Sequence, residues 1–512
     1  MPRRIILYKE IFMVTLVILD GFGERKEKFG NAIKAQGTPY LDKLKKEYPH
    51  TLLNASGEYV GLLKGDDGNS EVGHMTIGAG RMILQDLRLI DSEIENGKFF
   101  QNPAILKALA HAEKNKSNLH IMGILSDGRV HQDIAHLYAI LEMAKNFDIK
   151  NIYIHAFPDG RDTPPQSAKK YFHEFEERTK GTNVKIVSVI GRFYLDRELK
   201  YDRVQKVYDL MVYGKGHRVA SADEAIDWNY ANGITDEWME PCIIDETALV
   251  KDNDSLLFFH FRTDREREIT WAFTDPDFKH FKTKKLKNFL YTQMTQYAEN
   301  LGHLNTAYPP KVIDDNITAL LSQRGKTQYR VAETTKYMHV TYFFNGAVDT
   351  IYKGEDRKLI DTINTDDYAK FPKMRAIEIT QDVLDAIASN KYDFIVVNYS
   401  NPDMIGHTGN WASAKEAVEC VDKQAYAVAL ATLMAGGDCL ITADHGNVEE
   451  MMDKAGNKLT KHTNNPVSFI LVSRNHPEIK RLKKGKSLTS IASTVLKLMG
   501  EQIPENYDEP LY

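Results

Sequence analysis

Seven side chains of the kinds that bind metal ions lie near the two ends of this 512-residue chain. They are Asp20, Ser70, Asp403, His407, Asp444, His445 and His462. Carboxylate, imidazole and hydroxyl donors suit borderline divalent ions such as Mn²⁺ or Zn²⁺, and two separated groups of donors indicate two ions. Asp403 and His407 are four residues apart, so a helical turn there would direct both toward one ion. The sequence therefore predicts a metal centre that only folding can assemble.

Ser70 is the candidate nucleophile. It lies in GDDGNSEVGHMTIGAGR, after a glycine-containing turn and before a segment that favours a helix. The first turn of a helix presents backbone N–H groups and the positive end of the helix dipole, which suit a phosphate group. A serine at this place can also be a simple N-cap. Beside a metal cluster we expect a nucleophile, because a bound cation lowers the pKa of the hydroxyl.

Arginines in turn-rich sequence contexts collect in the middle of the chain. They are Arg161, Arg192, Arg197, Arg262 and Arg265. The guanidinium fork matches the oxygens of carboxylates and phosphates, so these side chains predict a site for a small polyanion. Each could instead belong to a surface ion pair. Asp162, next to Arg161, is a candidate general acid or base, or simply the partner of that arginine.

Short apolar runs precede the metal-type residues. VTLVIL ends at Asp20, FIVVNY precedes Asp403, and DCLITA ends at Asp444. Such runs are typical of strands buried on both faces of a parallel sheet, and ligands of open α/β sheets gather at the carboxyl ends of the strands. Further strand-like runs lie between about residues 118 and 195. The alternation of helical and strand patterns predicts α/β architecture.

Two joints interrupt this alternation. The first lies in MILQDLRLI, and the second contains Pro309 and Pro310, which do not suit a helix interior or a central strand. Because the metal-type residues lie outside both joints and must converge, the residues between the joints would form an inserted domain. We predict a discontinuous metal-binding domain of residues 1–84 and 311–512, and an inserted domain of residues 85–310 that clamps the substrate.

Composition narrows the function classes. The formal net charge of −5, with 42% hydrophobic and 27% charged residues, argues against a nucleic-acid partner or an anionic membrane. Cys242, Cys420 and Cys439 are far apart and lack CxxC spacing, so neither a disulfide framework nor a zinc cluster is indicated. We expect a cytoplasmic protein that acts on a small molecule.

The first residues resemble the start of a signal peptide only in part. Arg3 and Arg4 precede apolar residues, but Lys9 and Glu10 interrupt the apolar run, and no small-residue cleavage site follows. The apolar stretch 11–19 is too short to span a bilayer. We expect a short extension that leads into the first strand.

Many longer motifs are similar to those of one known family. They are VILDGFG, GNSEVGHMTIGAGR, SDGRVH, HAFPDGRDTPP, GRFYLDR, FRTDRERE, TTKYMHVTYFFNG, NPDMIGHTGN, TADHGNVEEM and KHTNNPV. In these motifs and their order, the chain resembles the cofactor-independent (2,3-bisphosphoglycerate-independent) phosphoglycerate mutases of the alkaline phosphatase superfamily. The resemblance implies an alkaline-phosphatase-like doubly wound α/β domain. It also implies an inserted second α/β domain that closes over phosphoglycerate.

The resemblance also implies a cofactor set and residue roles. Two Mn²⁺ ions are implied, without 2,3-bisphosphoglycerate. One ion would be held by Asp403, His407 and His462, and the other by Asp20, Ser70, Asp444 and His445. Ser70 would accept the substrate phosphoryl group, and Asp162 would move protons between the glycerate hydroxyls. The residues that match the family's substrate-binding positions are His131, Arg161, Asp162, Arg192, Arg197, Arg262, Arg265 and Lys336, and Lys336 also counts among the catalytic residues.

The chain departs from the family pattern at a few places. Thr263 stands where proline is expected, Phe259-His260-Phe261 replaces an asparagine-containing stretch, and Pro158 stands where leucine is common. The GRFYLDR motif is one residue shorter than usual. The metal-type and nucleophile positions are unaltered.

Three hypotheses follow. The first is an isomerase that interconverts 3-phosphoglycerate and 2-phosphoglycerate in glycolysis and gluconeogenesis. The alternative is a metal-dependent phosphohydrolase of the same superfamily, which would share the metal and serine chemistry but would not need to retain the alcohol. The third is a catalytically silent metal-binding scaffold, against which the intact Ser70, Asp444 and His445 argue. We expect a monomer, because a moving inserted domain would occupy much of the surface.

Overall fold

The computed structural model describes residues 13–512. The short extension expected at the N-terminus falls in residues 1–12 and lies outside the described residues. The chain divides into two compact units. The first comprises the described residues up to Leu84 together with Lys311–Tyr512, and the second is Gln85–Pro310.

The N-terminal part of the first unit contains two strands and three helices. They are β1 (Val14–Leu19), α1 (Ala32–Gln36), α2 (Pro39–Glu47), β2 (His50–Leu53) and α3 (Ser70–Ala79). Helix α3 is capped by Asn69, whose side chain accepts a hydrogen bond from the Val72 N–H at 3.0 Å. Ser70 is therefore the first helical residue, and its hydroxyl is not needed for capping.

The second unit alternates helices and strands. In chain order they are α4 (Asp86–Glu95), α5 (Pro103–Lys114), β3 (Leu119–Ile124), α6 (Ile134–Ala144), β4 (Ile152–Phe157), α7 (Ala168–Thr179), β5 (Val184–Val189), α8 (Tyr201–Tyr213), β6 (His217–Arg218), α9 (Ala222–Ala231), β7 (Cys242–Ile243), β8 (Ser255–Phe258), α10 (Arg267–Thr274), β9 (Leu290–Thr295) and β10 (Asn305–Tyr308). The strands form one eight-stranded sheet in the order β10-β9-β8-β3-β4-β5-β7-β6. All neighbours are parallel except β5 and β7.

The first unit continues after the second. Its remaining elements are α11 (Ile317–Gln323), β11 (Gln328–Glu333), α12 (Thr334–Met338), β12 (Glu355–Ile360), α13 (Ala376–Ala388), β13 (Phe394–Tyr399), α14 (Asn401–Gly406), α15 (Trp411–Met434), β14 (Asp438–Thr442), β15 (Val467–Val472) and α16 (Ser490–Leu498). Together with β1 and β2 they give a seven-stranded sheet in the order β12-β11-β13-β1-β14-β15-β2. The first five strands in this order are parallel, whereas β15 and β2 are antiparallel to their neighbours.

The strand from the beginning of the chain lies in the middle of this sheet. Val14 of β1 pairs with Phe394 of β13 on one side and with Asp438 of β14 on the other. Every residue of these three strands is buried, as expected for strands covered by helices on both faces. The carboxyl ends of the three strands consequently meet at one edge of the sheet.

Shorter helical turns complete the structure. They are the 3-10 turns Gly57–Val60, Lys98–Gln101, Arg192–Tyr194, Asp236–Trp238, Glu299–Leu301 and Tyr368–Lys370, and a π turn at His339–Phe343. None of the helices in residues 13–512 has both the length and the apolar content that crossing a bilayer requires. The α/β class predicted from the sequence is confirmed by the two sheets and their helices.

Candidate metal centre and anion-binding cluster

The metal-type residues of the first unit converge at the carboxyl ends of its central strands. Asp20 directly follows β1, Asp403 lies in the short helix α14 after β13, and Asp444 and His445 come just after β14. All four side chains are buried. Parallel neighbouring strands place these positions side by side, as the sequence pattern predicts.

His407 and His462 face one carboxylate oxygen. The Nδ1 atom of His407 is 2.7 Å from the Thr460 carbonyl oxygen, and that of His462 is 2.9 Å from the Gly68 carbonyl oxygen. Because a carbonyl only accepts, both Nδ1 atoms carry the proton in the neutral rings, and both Nε2 atoms keep a lone pair. These Nε2 atoms are 3.0 Å apart, and each is 3.2 Å from Oδ1 of Asp403.

This arrangement favours a cation between the three atoms. Two nitrogen lone pairs and a carboxylate oxygen face one position, and the opposite side of each ring is fixed by a backbone carbonyl, as is usual for histidines that ligate metals. The contact with Asp403 raises the pKa of His407, because a proton there supplies the positive charge that the site favours. The residues therefore fit a divalent ion, as their donor types predict.

The second group of donors surrounds Ser70. Its Oγ atom is 2.8 Å from Nε2 of His445 and 3.2 Å from Oδ1 of Asp20. Ligand atoms of Asp20, Asp444 and His445 all lie within 4.8 Å of one another. Within residues 13–512, the buried Oδ2 atom of Asp444 has no aligned hydrogen-bond donor, although Nδ1 of His74, which faces the Ser70 carbonyl oxygen, lies 3.3 Å away. A buried carboxylate oxygen without a donor is costly, so this group also fits a bound cation.

Lys336 links the two groups of donors. Its Nζ atom is 2.7 Å from each of three oxygens: Oγ of Ser70, Oδ1 of Asp20 and Oδ2 of Asp403. Burial alone would lower the pKa of Lys336, but Asp20 and Asp403 raise it, so the side chain is an ammonium.

One ammonium does not balance the charge of this buried cluster. It faces the carboxylates of Asp20, Asp403 and Asp444, so an excess of negative charge remains. Burial and the neighbouring Asp444 carboxylate accordingly raise the pKa of Asp20. Because unbalanced buried charge is strongly unfavourable, bound cations would stabilise this cluster of carboxylates.

Three polar residues of the centre were missed from the sequence. His74 receives Asn398 Nδ2 at 3.0 Å on its Nε2 atom, and its Nδ1 atom is 2.8 Å from the Ser70 carbonyl oxygen. Asn398 also donates to Oδ2 of Asp20 at 2.7 Å, and Asn447 donates to Oδ1 of Asp403 at 2.8 Å. The four-residue spacing of Ser70 and His74 on one helix face, and an asparagine inside the apolar run FIVVNY, were the available signals.

The sequence-predicted substrate residues other than Lys336 all lie in the second unit. Arg192, almost fully buried, contacts Asp159 and Asp162 with Nη1, each at 2.5 Å. The alternative in which Asp162 pairs with Arg161 is wrong, because Arg161 contacts Glu237 at 3.2 Å. Asp159 was missed by the sequence reasoning, although it lies in the same PDGRD turn.

The remaining arginines gather around the same place. Arg197 donates to Asp264 at 2.7 Å, Arg262 is 3.4 Å from the same carboxylate, and Arg265 donates to the Leu195 carbonyl oxygen at 2.9 Å. Burial lowers the pKa of Arg265, and the nearby guanidiniums of Arg192 and Arg197 lower it further. Arg161, Arg192, Arg197 and Arg262 each face a carboxylate. Among residues 13–512, Arg265 forms no ion pair within 4.0 Å and its buried Nε has no partner, so Arg265 favours an added anion.

Comparison with known proteins gives a consistent result. Residues 90–299 match the family described as the N-terminus of BPG-independent phosphoglycerate mutases. The 2,3-bisphosphoglycerate-independent phosphoglycerate mutase of Clostridium tetani is 47% identical over 500 residues, which cover 96% of this chain and 97% of that protein. The mutase 1 of Methanosarcina barkeri is 44% identical over 499 residues, which cover 96% of each.

The chain belongs to the family of 2,3-bisphosphoglycerate-independent phosphoglycerate mutases. It is therefore an enzyme of the isomerase class, as the motifs predict. The crystal structure of phosphoglycerate mutase from Leishmania mexicana, determined at low cobalt concentration, is 31% identical in sequence. It matches with a TM-score of 0.64, covering 98% of this chain and 97% of that one. The predicted α/β fold class is thus confirmed, and the fold matches that of a phosphoglycerate mutase.

Proposed function

We propose that this mutase interconverts 3-phosphoglycerate and 2-phosphoglycerate through a phosphoserine intermediate on Ser70. The observation that carries the proposal is the position of the Ser70 hydroxyl, which contacts the Lys336 ammonium at 2.7 Å within the cluster of metal-type donors. Ser70 is also the first residue of α3, where the helix dipole favours an incoming phosphate. A capping role does not account for it, because Asn69 is the cap.

We further propose that the centre holds two Mn²⁺ ions. Asp403, His407 and His462 would hold one, and Asp20, Ser70, Asp444 and His445 the other. Bound divalent ions would neutralise phosphoryl oxygens and lower the pKa of the serine hydroxyl. The uncompensated carboxylates and the facing Nε2 lone pairs support this assignment.

In the proposed phosphoryl transfer, Ser70, Lys336 and Asp162 have separate roles. Ser70 would first lose its hydroxyl proton to solvent, favoured by the Lys336 ammonium that donates a hydrogen bond to Oγ. Oγ then attacks phosphorus while the bond from phosphorus to the glycerate oxygen breaks. The released glycerate oxygen takes a proton from Asp162. In the return step Asp162 removes the proton of the other hydroxyl, whose oxygen attacks phosphorus while the bond from phosphorus to Oγ of Ser70 breaks, so that Ser70 and Asp162 both return to their starting forms. Asp162 is held for this role by Arg192.

Retention of glycerate distinguishes a mutase from a hydrolase. The dephosphorylated glycerate must stay bound while it reorients, which requires a clamp for its carboxylate and exclusion of water. We assign this clamp to His131, Arg161, Arg192, Arg197, Arg262 and Arg265 of the second unit. The convergence of their positive charge supports the assignment.

We place the reaction in glycolysis and gluconeogenesis in the cytoplasm. The three cysteines are free and buried, which agrees with a reducing compartment. Their burial raises the pKa of the Cys242 and Cys420 thiols to about 11 each, so these thiols stay protonated and unreactive.

Phosphorus NMR tests the proposal directly. The Mn²⁺-loaded protein is incubated with 3-phosphoglycerate without added 2,3-bisphosphoglycerate, and 2-phosphoglycerate and free phosphate are followed together. We expect 2-phosphoglycerate to accumulate to a constant ratio with little free phosphate. Release of phosphate alone would replace the mutase proposal by the hydrolase alternative.

A further inference from the structure

A buried histidine–glutamate pair lies inside the second unit. His260 follows β8, Glu266 immediately precedes α10, and neither side chain is exposed to solvent. The Nδ1 atom of His260 is 2.7 Å from Oε1 of Glu266. His260 belongs to the Phe259-His260-Phe261 stretch that the sequence motifs singled out.

The hydrogen bonds of His260 fix its tautomer. The backbone N–H of Ile124 donates to Nε2 at 2.8 Å, so Nε2 carries no proton and Nδ1 carries one. The Nδ1–H then donates to Glu266. With both ring nitrogens committed, His260 is free neither to ligate an ion nor to touch a substrate. The close grouping of His131, His260 and Glu266 is therefore not a cation site.

Glu266 faces a second histidine, His131. Oε1 of Glu266 is 3.4 Å from Nδ1 of His131, a buried nitrogen that has no aligned hydrogen-bond partner among residues 13–512. Oε2 of Glu266 accepts the backbone N–H of Arg265 at 2.8 Å. Among residues 13–512, the basic side chains within 4.0 Å of this carboxylate are His131 and His260 alone. Burial raises the pKa of Glu266, and the contact with His131 opposes this shift, so each side chain favours the charged form of the other.

Asp264 also lies near His131, but its carboxylate is already paired with arginines. Its Oδ1 atom is 3.4 Å from Nδ1 of His131, while Oδ2 accepts from Arg197 at 2.7 Å and Arg262 lies 3.4 Å from Oδ1. Two guanidiniums therefore share the charge of Asp264. The backbone also ties His131 to this segment, because the Phe261 N–H donates to the His131 carbonyl oxygen at 2.9 Å.

We propose that Glu266, held in place by His260, is a positioning residue for His131. The carboxylate fixes the imidazole with its proton on Nδ1, so that Nε2 is the nitrogen presented to phosphoglycerate. It also supports the positive charge that the ring carries when Nε2 donates to the substrate anion. The proposal rests on the substrate role proposed above for His131, and it adds two residues that act through His131 without touching the substrate.

The first test is spectroscopic and uses the unsubstituted enzyme. Long-range ¹H–¹⁵N correlation spectra are recorded on the full-length, histidine-labelled protein loaded with Mg²⁺, which does not broaden the signals as Mn²⁺ does. The His131 signals are identified by their loss in His131→Asn. We expect a proton on Nδ1 of His131 in the free enzyme. A neutral ring protonated on Nε2 alone would overturn the positioning role.

The second test is kinetic. We expect Glu266→Gln to raise KM for 3-phosphoglycerate about tenfold, because the variant lacks the carboxylate charge that supports a positively charged His131 when substrate binds. The kcat should change less than about threefold, since the interaction contributes equally to the bound substrate and the transition state. In a His131→Asn background the same change should add less than about twofold, since residues that act as a unit are not additive. Fully additive effects would overturn the proposal.

A matched control separates positioning from loss of stability. His120 and Asp254 form another buried pair in the same unit, with Nε2 and Oδ2 3.2 Å apart. Asp254→Asn should lower the unfolding temperature and leave KM unchanged, whereas a KM raised equally by this control would contradict a specific role of Glu266. An unchanged KM in His131→Asn would instead refute the substrate role of His131. The spectrum of the unsubstituted enzyme would still show whether Nδ1 of His131 carries the proton that faces Glu266.

Discussion

At the scale of single residues, the centre is governed by charge balance. Lys336 is one cation among three buried carboxylates, and the Ser70 hydroxyl lies beside it. Residue types and motif spacing predicted most of this chemistry. They could not predict that Asp162 is held by Arg192, because the two are thirty positions apart and their contact exists only in the fold.

Removal of the Ser70 hydroxyl should separate catalysis from metal binding. We expect Ser70→Ala to reduce interconversion by about 10⁴-fold or more, because the nucleophile is lost. The mutant should keep the ion at Asp403, His407 and His462. Turnover is measured by phosphorus NMR and bound metal by elemental analysis. Ser413→Ala, which changes a serine in the first turn of α15, is the control and should stay within about twofold of the unsubstituted enzyme.

Arg262 tests the clamp. Among the described residues 13–512, the ion-pair contact of its side chain is one of 3.4 Å from Nε to Oδ1 of Asp264, so the guanidinium has donors left for an anion. Arg262→Ala should raise KM for 3-phosphoglycerate about tenfold and leave Mn²⁺ affinity unchanged. The exposed Arg218, paired with Glu246 at 2.6 Å, is the matched control, and Arg218→Ala should change KM less than about twofold. Equal effects of the two substitutions would remove Arg262 from the clamp.

At the scale of elements, the strand ends determine where the chemistry lies. The apolar runs before Asp20, Asp403 and Asp444 predicted buried strands correctly, because hydrophobic patterning is a local property of the sequence. The order of the strands was not predictable in this way. β1 lies between β13 and β14, and local patterning carries no information about partners from the other end of the chain.

The turn after β1 makes a close approach that tolerates only glycine. Gly21 has a φ of +69°, and a Cβ there would lie 2.8 Å from Cα of Asp403. Gly500 has the same φ of +69°, but a Cβ there meets nothing within 4 Å. Both Gly→Ala changes incur backbone strain, so their difference isolates the collision.

We expect Gly21→Ala to weaken Mn²⁺ binding at least about tenfold and to destabilise the protein by roughly 2 kcal/mol more than Gly500→Ala. Metal titration and thermal unfolding of both variants provide the measurement. Equal metal affinity in the two variants would show that the approach of Gly21 to Asp403 does not position the carboxylate.

At the scale of the whole molecule, one sheet is built from both ends of the chain and the other from its middle. The metal-type residues belong to the first sheet and the arginine cluster to the second unit. Bound ions should therefore stabilise one unit selectively, because a ligand stabilises only the structure that binds it.

Metal removal tests this separation. On chelation we expect faster hydrogen exchange at the carboxyl ends of β1, β13 and β14, where unbalanced carboxylates repel each other, and unchanged exchange in β3 and β4 of the second unit. At a free metal concentration one hundred times the dissociation constant, the bound ion should stabilise the first unit by about 2.7 kcal/mol. Hydrogen exchange is measured by mass spectrometry with and without chelator. Equal acceleration in both sheets would contradict selective stabilisation of the first unit.

The central place of β1 also has a consequence for biosynthesis. This strand leaves the ribosome before the whole second unit, whereas its neighbours β13 and β14 are translated after that unit. At about 5 to 20 residues per second, the apolar segment VTLVIL waits on the order of tens of seconds for its partners. The intervening unit contains its own complete sheet and is translated during this wait. A nascent chain of this mutase is therefore most vulnerable to aggregation, and most dependent on chaperones, before the metal centre exists.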